Sequence, residues 1–154
     1  MKTFKTIGYW LLSWTWGFIM TFIGGCGALW FLIKGVKPKT YKGSVYFEVG
    51  GPNWGGVNFG PFIFVDTRTN KEIVWHEWGH GIQNIILGPL MPFLVAIPSL
   101  TRYHYRRWIT SDKCPEEWRK KYTQLPDYDS IWFEGWATKL GEKYYKEGDY
   151  NASK

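Results

Sequence analysis

The sequence predicts an α+β protein: an N-terminal transmembrane helix leading into a small domain built from a short β-hairpin and several helices. Three observations predict it. Residues 7–33 carry no charge and are apolar almost throughout. Residues 44–65 hold two runs rich in β-branched and aromatic residues, SVYFEV and VNFGPFIFV, separated by the turn-forming GGPNWGG. Residues 71–87 and 130–147 then read as helices with start and stop signals of their own. At 154 residues there is room for one domain with a modest core. The chain divides into an anchor over 1–35 and a compact domain over 36–154.

The apolar run 7–33 is longer than the roughly 20 residues that cross a bilayer at about 1.5 Å per residue. It is too long for a signal-peptide core, and no A-x-A site follows it. Ile23-Gly24-Gly25-Cys26 loosely resembles a lipoprotein cleavage box, but apolar sequence continues through Ala28 to Ile33. Trp10, Trp14, Trp16 and Trp30 lie toward its ends, where indoles anchor at a membrane interface. Gly24, Gly25 and Gly27 mark a close helix contact or a weak point. Lys34, Lys37, Lys39 and Lys42 follow the run, against Lys2 and Lys5 before it. By a small margin this asymmetry favours a cytoplasmic C-terminal domain.

Residues 35–43 read as a linker, and the two runs of 44–65 as a hairpin whose second strand Pro61 confines to an edge. A lone hairpin is marginal, so it must pack on the helices that follow. Thr69 or Asn70 would cap the helix 71–87, Glu72 would favour its dipole, and Gly88-Pro89 would stop it. Residues 85–100 are apolar but broken by Pro89, Pro92 and Pro98. They are either a buried core segment or a shallow, re-entrant membrane element. Pro115 with Glu116 and Glu117 opens a short helix to about Tyr122. Ser130 would cap the last helix, over 130–147.

Composition narrows the class. One residue in five is aromatic, 11 of them Trp, and the net charge is +6. Lysines flanking an apolar run read as membrane-surface anchors, and no nucleic-acid-binding signature accompanies them. Cys26 and Cys114 stand in dissimilar surroundings with no metal-binding spacing, so they predict neither a disulfide nor a cysteine site.

The chemistry concentrates in His76-Glu77-Trp78-Gly79-His80, an H-E-x-x-H. On a helix, positions i and i+4 lie one turn apart on one face. His76 and His80 can thus point two nitrogens at one zinc ion, with Glu77 beside them to take a proton from water. The chain has three histidines and two fall here. A catalytic zinc needs a third protein ligand. Among His104, Asp127, Asp129, Glu134 and Glu142, Glu134 is the strongest candidate. It sits inside IWFEGWA, where an unpaired carboxylate would be costly to bury. The alternative is a surface acid beside Lys139 or a partner of Arg102. Gln83, three residues past His80, shares its face and is expected either to hydrogen-bond a ligand or simply to pack.

HEWGH followed by FEGWAT resembles the gluzincin zinc peptidases, in which a glutamate on a second helix is the third ligand. VNFGPFIFVD, HEWGHGIQNIILGPL, IPSL and WFEGWATKLG together are similar, in patches over roughly residues 55–141, to a group of small bacterial HExxH proteins that often carry membrane segments. The resemblance implies a zincin-like domain with His76, His80 and Glu134 as zinc ligands and Glu77 as the catalytic base. Thr138 stands where many relatives have an Asp supporting a histidine ligand, and a hydroxyl can accept one such bond. Such peptidases also use a Tyr or His to stabilise the oxyanion. His104, Tyr103, Tyr105 and Tyr128 are the candidates here.

The expected function is therefore that of a zinc metallopeptidase, single-pass in a bacterial inner membrane, acting on a peptide or protein substrate. A partner protein that completes so small a site is a further expectation. The alternative is a non-proteolytic zinc-binding or membrane interaction protein derived from a peptidase.

Overall fold

The computed structural model describes residues 2–68, 71–121 and 126–144. Among them the fold is α+β, with six α-helices and a mixed sheet of four strands. The helices are α1 (Lys2–Thr15), α2 (Phe18–Ile33), α3 (Lys71–Leu87), α4 (Ile97–Ile109), α5 (Glu116–Lys121) and α6 (Trp132–Tyr144). The strands are β1 (Lys39–Tyr41), β2 (Ser44–Glu48), β3 (Gly56–Phe59) and β4 (Phe62–Val65), in the order β1-β2-β4-β3.

The sheet corrects the expected single hairpin. The supposed linker contains β1, which pairs antiparallel with β2 through the Lys42-Gly43 loop. Both loop residues have positive φ, 47° and 88°, as a tight two-residue hairpin turn requires. The run 57–65 is two strands, β3 and β4, folded back on each other at Gly60-Pro61. Pro61 therefore sits in a turn and not on an edge strand, since its missing N–H costs no ladder bond there. Strand β2 pairs with β4 in parallel, Val45 opposite Phe62 and Glu48 opposite Val65.

Helices cover both faces of this sheet. Tyr46, Ile63 and Val65 pack with Val74 and Trp78 of α3. Phe47 and Phe64 pack with Ala28 of α2 on the other face. Two buried faces explain why the central strand reads FIFV without a polar alternation. The glycines of α2 lie at this contact: a Cβ on Gly24 would come 2.5 Å from the Phe59 carbonyl oxygen.

The charge-free run 7–33, expected as one transmembrane helix, is not one helix. It breaks at Trp16-Gly17 into α1 and α2, bent by 101°. The break is set by tertiary contact. The side chain of Asn84 on α3 fills the place of a Gly17 side chain, and its Nδ2 donates to the Gly17 carbonyl at 3.3 Å. Helix α1 is also tied to the sheet: Tyr9 donates to the Gly60 carbonyl and Trp10 to that of Gly43. The expected division at residue 35 falls between α2 and β1, and both N-terminal helices pack on the elements after it. Among the described residues no single helix is long and apolar enough to cross a membrane. Two bent pairs reach that length together, α1 with α2 and, bent by 116°, Glu72–Leu90 with Pro92–Ile109.

Helix α3 ends at Gly88, whose φ is +55°. A 3₁₀ turn over Gly88–Leu90 and a π turn over Pro92–Ala96 then lead into α4. Residues 85–100 are amphipathic: Met91 and Val95 are buried with Met20 and Phe133, while Leu90, Phe93 and Leu100 are exposed. Helix α5 opens after Pro115 as expected, and Tyr122 lies outside the described residues, as do Thr69, Asn70 and everything beyond Tyr144. Ser130 does not cap α6. Its hydroxyl donates to the Asp127 carbonyl at 2.6 Å, inside the 3₁₀ turn Tyr128–Ser130.

The bend carries a prediction. Gly17→Leu drives a side chain into Asn84 and destabilises the fold by about 1–3 kcal/mol. Gly8→Ala, where no atom lies within 4 Å of the new Cβ, is neutral or stabilises by up to about 1 kcal/mol. Chemical denaturation in detergent checks both.

Candidate metal centre

The site is made where α3 crosses α6. A Cβ on Gly79 would sit inside the backbone of Ala137, and one on Gly141 would come 2.5 Å from the Trp75 carbonyl oxygen. Only side chains this small let two helix backbones approach so closely. The crossing brings Glu134, in the first turn of α6, to the histidine face of α3.

His76, His80 and Glu134 each offer a ligand atom within 4.8 Å of the others. The Nε2 atoms of His76 and His80 lie 3.3 and 3.1 Å from the same oxygen, Oε2 of Glu134. Ligand atoms held tetrahedrally about 2.0–2.1 Å from a zinc ion stand about 3.3–3.4 Å apart. The two spacings fit that edge closely. Two imidazoles and one carboxylate also match the borderline donor set that zinc takes in catalytic sites.

The outer nitrogens are held as well. His80 Nδ1 lies 2.7 Å from Gln83 Oε1, and Gln83 Nε2 donates to the Phe133 carbonyl at 2.7 Å. Because the amide nitrogen serves Phe133, the amide oxygen accepts from His80 Nδ1, so Nε2 is the nitrogen that faces Glu134: it donates to the carboxylate while protonated and would offer a lone pair to an ion once that proton is lost. His76 Nδ1 lies 2.9 Å from the Thr138 hydroxyl, which can accept from it. Glu134 Oε1, turned away from the histidines, accepts from Ser99. Arg102 does not pair with Glu134; it donates to the Pro126 and Asp127 carbonyls.

The electrostatics favour a cation. Glu134 is fully buried, and its ion-pair partners among the described residues are the two imidazoles. Burial works to raise its pKa, but hydrogen bonds from His76 and His80, the His80 charge and Ser99 outweigh it, so the carboxyl lies well below the usual range. Burial lowers the His80 pKa, yet the bond to Glu134 and the Glu77 charge outweigh that and raise it. Two buried carboxylates thus draw positive charge to the spot where the Nε2 atoms converge.

Glu77 is different. It is not part of the converging group, and it lines a cleft of about 400 Å³ together with His76, Trp54, Gly56, Tyr128 and Thr138. Burial raises its pKa, the charges of His80 and His76 oppose this, and Glu134 adds to it. Gly56 makes room for it: a Cβ there would stand 2.8 Å from Glu77 Cγ. The cleft shares Trp54, Tyr103 and Tyr128 with a second cavity of about 740 Å³, on which Arg106 and Arg107 open.

The four oxyanion candidates separate. Tyr128 lines the cleft with its ring 6.5 Å from that of His76, its hydroxyl 3.3 Å from Ser99 Oγ. Burial first, then the Glu134 charge, raises the Tyr128 pKa, which keeps the phenol protonated. Tyr103 lines the same cleft. His104 stacks edge-on against Tyr103 and is exposed, and Tyr105 lies against Trp108; neither lines either cavity. Sequence reasoning missed Ser99 and Trp54. Ser99 lies in the proline-broken apolar segment 85–100, where nothing in the sequence singles out its hydroxyl.

Zinc affinity, measured by competition with a chromophoric chelator, is expected to vanish in Glu134→Ala and His76→Ala. It is expected to fall about 10- to 100-fold in Thr138→Val and Gln83→Leu, which free a ligand ring. Compared with protein-family models, with curated proteins and with solved structures, the chain matches none of them.

Proposed function

We propose that the chain is a zinc-dependent metallopeptidase. The observation that carries this is the convergence of His76 and His80 Nε2 on Glu134 Oε2, with the uncommitted carboxylate of Glu77 beside it in an open cleft. Bound there, zinc supplies Lewis acidity toward a substrate carbonyl and toward water. His76, His80 and Glu134 would hold it, Gln83 accepts from His80 Nδ1 and so leaves Nε2 for the ion, and Thr138 steadies the His76 ring.

Glu77 takes the proton from the attacking water and returns it to the leaving amine. Its burial suits that task, because a base whose pKa is raised toward neutrality both accepts and releases a proton readily. Tyr128 presents a protonated phenol at the cleft wall, a donor for the oxygen that becomes negative as the carbonyl is attacked. Strand β3 is an edge strand, and its first residue, Gly56, lines the cleft. An extended peptide can be held against such an edge by main-chain pairing. A purely structural metal would leave the costly burial of Glu77 without a use.

Glu77→Gln is expected to keep one zinc per chain while peptide hydrolysis falls about 10²- to 10⁴-fold. Tyr128→Phe is expected to lower kcat about 10²-fold or more with little change in KM. A peptide-library assay with parallel metal analysis checks both. Loss of metal in Glu77→Gln, or unchanged hydrolysis, counts against the proposal.

A further inference from the structure

We propose that this chain is a monotopic membrane protein: the outer apolar face of α1, α2 and residues 86–100 enters one leaflet of an anionic bilayer without crossing it. This goes beyond the catalytic reading and does not depend on it.

The face is large and unpartnered in the chain. Leu11, Phe22 and Leu29 on α1 and α2, and Leu90, Phe93 and Leu100 on the second bent pair, are each 52–65% exposed. Single exposed apolar residues are ordinary, but a contiguous set of this size marks an interaction surface. The two parts are contiguous because the bends touch. Gly88 at the second bend lies directly against the Trp16 indole at the first, and Met20 is buried with Met91 and Val95.

Length argues for one leaflet. The uncharged part of α1, residues 6–15, is about 15 Å long and the 16 residues of α2 about 24 Å. Each is short of the roughly 30 Å hydrocarbon core. A bend of 101° keeps the two from adding up to a span.

The bends are built for a medium without water. There, each free backbone N–H or C=O costs several kcal/mol unless paired within the protein. At the first bend the amides of Trp16 and Gly17 both donate to the Leu12 carbonyl. The Gly17 carbonyl accepts from the Thr21 amide and from Asn84. At the second, Met91 donates to Gly88 and Ile97 to Pro92, and Pro89, Pro92 and Pro98 have no N–H to pair.

Charge selects the occupant. Residues 6–33 and 81–101 are uncharged; Lys5 precedes the first run and Lys34 and Lys37 follow it, while Arg102, Arg106 and Arg107 follow the second, whose other side carries Glu72 and the buried Glu77 of the cleft. Lys34 lies over the Trp30 ring, 4.9 Å from its centre, the aromatic and basic pairing of a headgroup layer. A second copy docked on this face would meet an equally basic rim, whereas anionic headgroups carry the opposite sign.

Three readouts on the full-length chain test this, none involving hydrolysis. Flotation with phosphatidylcholine vesicles containing phosphatidylglycerol is expected to carry the chain with the lipid. Lys34→Gln and Lys37→Gln are each expected to weaken partitioning about fivefold on these vesicles and to leave it unchanged on neutral ones. Cys26 is exposed on α2 and Cys114 is buried, so a nitroxide on native Cys26 is expected to report a depth inside one leaflet. In a Cys26→Ala background, Lys5→Cys, Lys37→Cys and Lys113→Cys are expected to react with an impermeant maleimide from the same side of sealed vesicles. Reaction of Lys5→Cys and Lys37→Cys from opposite sides would overturn the proposal in favour of a span. Failure to float, with the chain free as a monomer or dimer, would overturn it in favour of a solvent-facing or self-associating surface.

Discussion

Helices α3 and α6 can form a site because they touch backbone to backbone. Gly79 against Ala137, and Gly141 against Trp75, remove the side chains that would otherwise hold the two axes apart. That approach lets a carboxylate in the first turn of α6 reach two imidazoles one helical turn apart on α3. The same crossing sets Gln83 against the Phe133 carbonyl and Thr138 against His76. Every contact that orients a ring is thus made between these two helices or within one of them. Burying a charge such as that of Glu134 costs several kcal/mol unless it is compensated, and here two imidazoles and the Ser99 hydroxyl surround it.

The sheet and the N-terminal helices position this crossing from behind. Val74 and Trp78 face the sheet while His76, His80 and Gln83 face α6, so α3 serves two layers at once. Asn84, next in sequence to Gln83, reaches the other way and docks into the bend at Gly17. Residues 83 and 84 therefore tie the candidate metal centre to the apolar face through adjacent side chains. From His76 to Ile86, which is exposed on that face, the helix runs about 15 Å. On the membrane reading, the cleft stands within that distance of the lipid surface.

Much of the centre was legible because its chemistry imposes local spacing. His76 and His80 follow from i, i+4 geometry, Gln83 from its place on the same face, and Glu134 from a carboxylate amid apolar residues. Thr138 was legible only through a family pattern. Ser99 was not, since a hydroxyl in a proline-broken apolar run has no periodicity to mark it. The fold was legible at the level of α+β, the HExxH helix and its stop at Gly88. The pairing of β2 with β4 in parallel was not, because helices on both faces decide it. Nor was the break at Gly17: hydropathy averages over a bend, and this one is imposed by an asparagine 67 residues away. Nor was the turn at Gly60-Pro61, because a proline inside a β-rich run marks an edge strand as readily as a hairpin tip.

The most direct test is X-ray absorption at the zinc edge on the full-length protein purified with zinc. One zinc per chain is expected, bound by two imidazole nitrogens, one carboxylate oxygen and one exchangeable solvent oxygen, at about 2.0–2.1 Å. Zinc absent from this site, or zinc closed off by four protein ligands, would rule out the proposed metallopeptidase.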